Sequence, residues 1–169
     1  MSFEIRIADF FFIIHLLAEY KILLGVVGAK QATSKLNFKK IVDDELVLVN
    51  SPQKAMKKSV TLRDLLLIPF LLREEGSSTR KVIEESGIKN GFTVAELNTV
   101  AVLGSNAAVK EAVKADLGFS ILPRFSVRDE LASGSLQETA IEGGTYGQIF
   151  LCRHSERLKP SKPLFCFCK

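Results

Sequence analysis

Histidine is scarce in this sequence: His15 and His154 are its only two among 169 residues. His15 lies inside an apolar run and reads as a helix residue at the edge of a lobe. His154, between Arg153 and Ser155, reads as a surface residue. No Gly-x-Ser-x-Gly elbow, Walker loop, His-Glu-x-x-His or Cys-x-x-Cys is present. The acidic pairs Asp43-Asp44 and Glu84-Glu85 are adjacent, so their carboxylates point apart and read as solvated charge. No nucleophile and base can be paired, and the expectation is that the chain is not an enzyme.

Cysteine is nearly as rare. Cys152, Cys166 and Cys168 make an odd count, the last two in a Cys-Phe-Cys triplet. Alternation with Phe165 and Phe167 reads as a terminal element burying one face. No other Cys or His pair supplies the remaining ligands of a metal site, so neither metal nor cofactor is expected. Free thiols suit a reducing compartment. Long hydrophobic runs are missing too. The apolar stretch 10–18 is half the length of a membrane span. It follows the amphipathic Phe3-Glu4-Ile5-Arg6-Ile7 instead of a basic leader, and no small-residue cleavage site follows. No membrane association is expected, and the cytoplasm is the expected location.

Charge of one sign barely dominates: 23 basic and 19 acidic residues leave a net +4. Lys35, Lys39 and Lys40, then Lys54, Lys57 and Lys58, form the one basic stretch, either a solvated face beside a strand or a phosphate-binding stripe. Repeats, heptads and low-complexity tracts are absent.

What remains is a soluble, core-forming composition, 47% hydrophobic and 25% charged, enough for one compact domain or two small intertwined lobes. Residues 4–8, 24–27, 45–49, 118–122 and 149–152 read as short strands. Between them, Ile13, Ile14, Leu17 and Tyr20 share a helical face. A second helix opens at Ser77-Ser78-Thr79 and stops near Gly87, and a third runs from Ser105-Asn106 to Leu117. Strand-then-helix alternation predicts an α/β fold with a largely parallel sheet.

The strongest local signal is Arg73-Glu74-Glu75-Gly76-Ser77-Ser78-Thr79-Arg80. A glycine turn delivers hydroxyl residues to a helix start, where unpaired N–H groups and the positive dipole end favour an anion. Ser77 or Ser78 could equally be a plain N-cap. Gly104-Ser105-Asn106 repeats the chemistry, and Val27-Gly28-Ala29 adds a third glycine turn after a strand. Two such helix starts suggest a polar ligand.

Read in order, several segments resemble the effector domain of LysR-type transcriptional regulators. Leu24-Gly25-Val26-Val27-Gly28-Ala29 is similar to the strand ending a first-lobe segment of that family. Asp44-Glu45-Leu46-Val47-Leu48-Val49, with Ser51-Pro52 after it, resembles the first crossover strand. Thr61-Leu62-Arg63-Asp64-Leu65 and Pro69-Phe70-Leu71-Leu72-Arg73-Glu74 resemble the approach to the glycine-serine helix start. Residues 112–123 look like the return crossover strand, and 131–136, with Gly134, the turn after it. The match spans roughly residues 20–158.

The resemblance implies a two-lobed type II periplasmic-binding-protein-like α/β fold with two crossover strands. Residues 1–48 and 143–169 would form the first lobe and 49–142 the second. Gly28, Ala29, Ser77, Ser78, Thr79, Ser105 and Asn106 would line an interlobe effector cleft for a small polar, often anionic metabolite. It further implies a homodimer with the lobes paired antiparallel, the contact expected around residues 10–17, where Phe10-Phe11-Phe12 cannot all face one core. DNA would be reached only through a helix-turn-helix absent from this chain. The first lobe looks truncated, with residues 3–9 aligning either to the family's second strand or to its first. Leu23 stands where the family usually has aspartate, and Asp116 where it often has glycine, a position aspartate tolerates in a left-handed conformation. A free-standing solute-binding protein of the same fold and a prephenate-dehydratase-like enzyme are the alternatives. Ser78-Thr79-Arg80 resembles part of the latter's Thr-Arg-Phe motif, but Lys81 replaces the aromatic.

Overall fold

The computed structural model describes residues 4–8, 10–54, 56–155 and 164–168. They gather into two compact units. Unit 1 comprises Met1–Asp43, Gly76–Ser78 and Gln148–Lys169, and unit 2 comprises Asp44–Glu75 and Thr79–Gly147.

Unit 1 is built on a sheet of mixed strand direction. Strand β1 (Glu4–Ala8) pairs in parallel with β10 (Leu164–Cys168), and β10 in parallel with β2 (Leu24–Val27). On its far side β2 runs antiparallel to β9 (Tyr146–His154), with Val26 opposite Leu151. Helix α1 (Phe10–Ala18) packs on β2, and its spacing explains why. Phe10, Ile13, Ile14, Leu16 and Leu17 form one buried stripe that meets Ile22, Val27, Leu36, Phe150 and Cys152. Burying a side chain such as Ile13 or Leu17 contributes roughly 1.5–3 kcal/mol. The helix ends before Tyr20, which does not share its buried face. Tyr20 takes a left-handed φ of 55° and stacks on His154 at 3.9 Å between ring centroids. His154 is thereby half-buried instead of lying free on the surface, and His15 is exposed. The side chains of Phe165, Cys166, Phe167 and Cys168, expected to bury one face, lie outside the described residues.

The chain passes from unit 1 to unit 2 within β3 (Leu36–Asn50). This strand begins nine residues before the expected position 45; Leu36 is buried and Phe38 half-buried, but 39–43 is exposed and breaks the hydrophobic alternation. Lysines 35, 39 and 40 lie on or beside this exposed segment, and Lys40 pairs with Asp43 at 2.8 Å. From Leu46 to Asn50 the strand is buried on both faces. It pairs antiparallel with β7 (Ser120–Pro123) on one side and β8 (Gln137–Ile141) on the other. Two-residue β4 (Ser59–Val60) adds to β8 in parallel. A separate parallel pair, β5 (Phe70–Arg73) and β6 (Thr99–Leu103), carries a bulge between Phe70 and Leu71.

Helix α2 (Ser78–Lys89) runs through Gly87 instead of stopping there. Gly87 is needed for packing, since a β-carbon there would lie 3.0 Å from the Phe92 ring. The left-handed residue that ends the helix is Gly91, at φ 78°. Helices α3 (Asn106–Lys114) and α4 (Arg124–Ser133) cover the buried face made by Val47, Val49, Leu71 and Leu122. After α3 the backbone turns left-handed at Asp116, φ 63°, where Lys54 donates to its carbonyl oxygen at 2.8 Å. No described helix is long and apolar enough to cross a membrane.

Candidate functional site

In unit 1, strand β2 ends at Val27 and delivers Gly28 to the turn Gly76–Ser78. A β-carbon added at Gly28 would lie 2.7 Å from the Ser78 β-carbon and closer still to its hydroxyl. No real β-carbon tolerates that distance, so any residue but glycine would push the start of α2 away. Gly76 sets the same turn with φ 88°, a conformation that glycine adopts without strain. Ser77 is buried beside it, and Ala29 is buried after Gly28. The sequence therefore brings a bare backbone and a serine hydroxyl together at a helix N-terminus, whose first-turn N–H groups have no partner within the helix. Such a place presents donors and a positive dipole end without a bulky side chain over them.

Unit 2 holds Thr79, Ser105 and Asn106. Thr79 is buried in the first turn of α2. Ser105 has extended backbone, and its Oγ accepts the Ala108 N–H at 3.1 Å, so it is the N-cap of α3. Asn106 is engaged as well: its Oδ1 accepts from Nη1 of Arg73. Arg73 is 2% exposed, and its Nε and Nη2 donate to the two carboxylate oxygens of Glu74 at 2.7 and 2.8 Å. One buried guanidinium thus ties the end of β5 to the start of α3. The α2 entry is fixed by a second arginine. Arg80 Nε donates to Glu84 at 2.8 Å, its Nη1 donates to the Arg73 carbonyl at 3.3 Å, and Glu75 lies 3.7 Å from its Nη2.

Gly28 and Ser78 are brought into contact within unit 1, with Ser77 and Ala29 as neighbours in the chain. Thr79, Ser105 and Asn106 belong to unit 2. Sequence reasoning missed the Arg73–Glu74–Asn106 linkage, although one signal was available. An arginine closing the strand Phe70-Leu71-Leu72-Arg73 must bury its charge and therefore needs a carboxylate, and Glu74 follows at once.

Burial pushes the Cys152 thiol up to about 12, leaving it protonated and unreactive. Asp44 is raised by burial, opposed by a hydrogen bond from the Phe125 backbone, whereas hydrogen bonding from Lys40 lowers Asp43. The two neighbours thus sit in different environments. Among the described residues, no group of three or more His, Cys, Asp or Glu could hold a metal ion.

Strands and helices make a mixed α/β fold, and the solved domains that it superposes on have the periplasmic-binding-protein-like fold. The chain matches the LysR substrate binding domain over residues 1–165 and belongs to that family. It is 37% identical over 119 residues to the transcriptional regulator CfxR of Cupriavidus necator, covering 68% of this chain and 37% of that protein. It is 31% identical over 122 residues to the transcriptional activator CmpR of Synechocystis, covering 71% of this chain and 39% of that one. The chain spans about two fifths of the length of these curated relatives. Among solved structures, the effector-binding domain of QuiR in complex with shikimate superposes with a TM-score of 0.79 at 19% identity, covering 91% of this chain and 72% of that one. The CcmR regulatory domain of Synechocystis, in complex with 2-PG, gives 0.76 at 22% identity, covering 88% and 72%.

Proposed function

We propose that this chain is the sensing module of a LysR-type transcriptional regulator. It binds a small polar or anionic metabolite through Gly28, Ala29, Ser77, Ser78, Thr79, Ser105 and Asn106, and catalyses nothing. The approach of Ser78 to Gly28 carries the reading, because a glycine made obligatory by a hydroxyl at a helix N-terminus is chemistry suited to an incoming acceptor. Arg73 and Ser105 add a structural layer: they hold the start of α3 while leaving that helix's positive dipole end in place. The bound metabolites of QuiR and CcmR support a ligand of that size and polarity. DNA contact belongs to a helix-turn-helix domain outside this chain, and such a regulator works in the cytoplasm.

The same reading includes a homodimer. Phe11 and Phe12 point outward from α1, 59% and 48% exposed, whereas Phe10 is buried in the unit's own core. Of the expected contact at 10–17, this outer edge is the part available to a partner, and two-fold pairing is the commonest way to cover such a patch. Sedimentation at micromolar concentration checks it: a concentration-dependent dimer supports the pairing, and a clean monomer contradicts it.

Thermal-shift titration with shikimate, inorganic phosphate and a panel of small carboxylates tests the effector reading. A ligand at 100 times its Kd adds roughly 2.7 kcal/mol of stability. At about 2–4 °C per kcal/mol for a chain of this size, that is a shift of roughly 5–11 °C. Ser78→Ala should weaken binding by about 1 kcal/mol or more, as expected for a hydrogen bond to a charged group. Affinity unchanged by Ser77→Ala, Ser78→Ala and Thr79→Ala would leave these residues only a capping role.

A further inference from the structure

Phe11 combines two properties that conflict if it is only a surface residue. It is well exposed on the outer edge of α1, yet a β-carbon added at Gly76 would lie 3.0 Å from its Cδ2 and 3.2 Å from its Cε2. One side of the ring therefore faces solvent and the other lies over Gly76, two residues before Ser78. The ring is also anchored from behind. It meets Phe10 edge-on, with centroids 5.4 Å apart and planes inclined at 68°, and Phe10 is buried in the core of unit 1. The turn runs beneath the ring with Gly76 at a left-handed φ of 88°, and a β-carbon there would crowd the ring.

We propose that Phe11 is a positioning residue for the turn Gly76–Ser78: through Gly76 it holds the Ser78 hydroxyl against Gly28. The role rests on the effector reading given above, since it names the residue that shapes that site. A turn held only by its own backbone would open locally at little cost, because such segments have few buried apolar contacts. An aromatic ring laid across a glycine closes that route while leaving its outer face free. The α1 surface and the ligand turn are thereby joined through one side chain.

Amide hydrogen exchange of the ligand-free chain, followed residue by residue by NMR, tests this without requiring an effector. Phe11→Ala should raise exchange at Gly76, Ser77 and Ser78 by about fivefold, the scale of a lost aromatic contact. Slow amides in β7 and α3, which belong to unit 2, should keep their rates. Phe11→Leu, which retains an apolar side chain on α1, should give a smaller rise at the same three amides and serves if the alanine variant fails to fold. Phe125→Ala, an exposed aromatic of unit 2, should leave the turn unchanged. A rise confined to residues 76–78 supports the positioning role. No rise there, or a uniform rise across both units, would overturn it. Because no ligand is present, failure here is distinct from failure of the effector reading, which the titration decides.

Discussion

Placing a methyl group at Gly28 is the sharpest perturbation of the turn. The backbone there is not left-handed, so Gly28→Ala introduces no strain in φ and its cost is purely steric. The new β-carbon would lie 2.7 Å from the Ser78 β-carbon, far inside contact distance. Rotating the serine hydroxyl cannot relieve this, because the crowded atom is bonded directly to the main chain. Either β2 or the start of α2 must move. Overpacking of this kind costs about 1–3 kcal/mol, or roughly 2–12 °C in Tm for a chain of this size. Ser78→Gly removes both crowded atoms at a cost of about 0.5–1 kcal/mol for glycine in the first turn of a helix. The double variant should therefore recover most of the loss, with a coupling of about 1 kcal/mol or more between the two sites, as contacting residues show. Urea unfolding of the four proteins measures the cycle. Strict additivity, or a Gly28→Ala cost below about 0.5 kcal/mol, the usual surface range, would refute the close approach.

Three further outcomes follow from unit 2. Arg73→Met should cost about 1–3 kcal/mol by equilibrium unfolding, since it removes the buried guanidinium's hydrogen bonds to Glu74 and to the Asn106 carbonyl; a loss below about 0.5 kcal/mol would show the linkage to be idle. Asp116→Gly should leave stability equal or raised, because glycine accepts φ 63° freely, whereas Asp116→Val should lower it by about 1–2 kcal/mol. Glu130 is held below the usual carboxylate range, first by its hydrogen bond from Lys110 and then by the charges of Lys110 and Lys114, against an opposing desolvation. Its folded value is depressed, so its contribution is full above the ordinary carboxylate range and fades as pH falls through the lowered value. Glu130→Gln should flatten that part of the stability–pH curve, and an unchanged slope would contradict the assignment.

The parts of the fold that were legible in the sequence are those in which local chemistry and tertiary packing agree. Residues 24–27 carry two valines and are followed by the Gly28 turn, and 46–49 in β3 is a continuous apolar run, so both strands could be read directly. Asp116 could be read as a left-handed position through the resemblance, because the family often has glycine there and aspartate tolerates that conformation. What stayed hidden depends on partners distant in sequence. In the outer part of β3, Ile41 and Val42 are exposed among lysines and aspartates, so apolar residues there do not mark a buried face. Gly87 looks like a helix stop until Phe92 is known to pack over it. Tyr20 fits the helical period of Ile13 and Leu17, yet the chain turns first and the ring goes to His154. The helix starts themselves were readable from Gly76, Ser77, Ser78 and Ser105. That the Asn106 carbonyl is occupied by Arg73 was not, because 33 residues separate them. Nor could any spacing rule lay Phe11 over Gly76.

A polar ligand held at the α2 entry is tested most directly by residue-resolved NMR titration. With whichever small polar or anionic compound raises the melting temperature, amide shifts should move first, along one saturating curve, at Gly28, Ala29, Ser77 and Ser78. Ser78→Ala should weaken that curve by about tenfold, the equivalent of roughly 1.4 kcal/mol. Shifts that saturate elsewhere in the chain while these four amides stay still would contradict it.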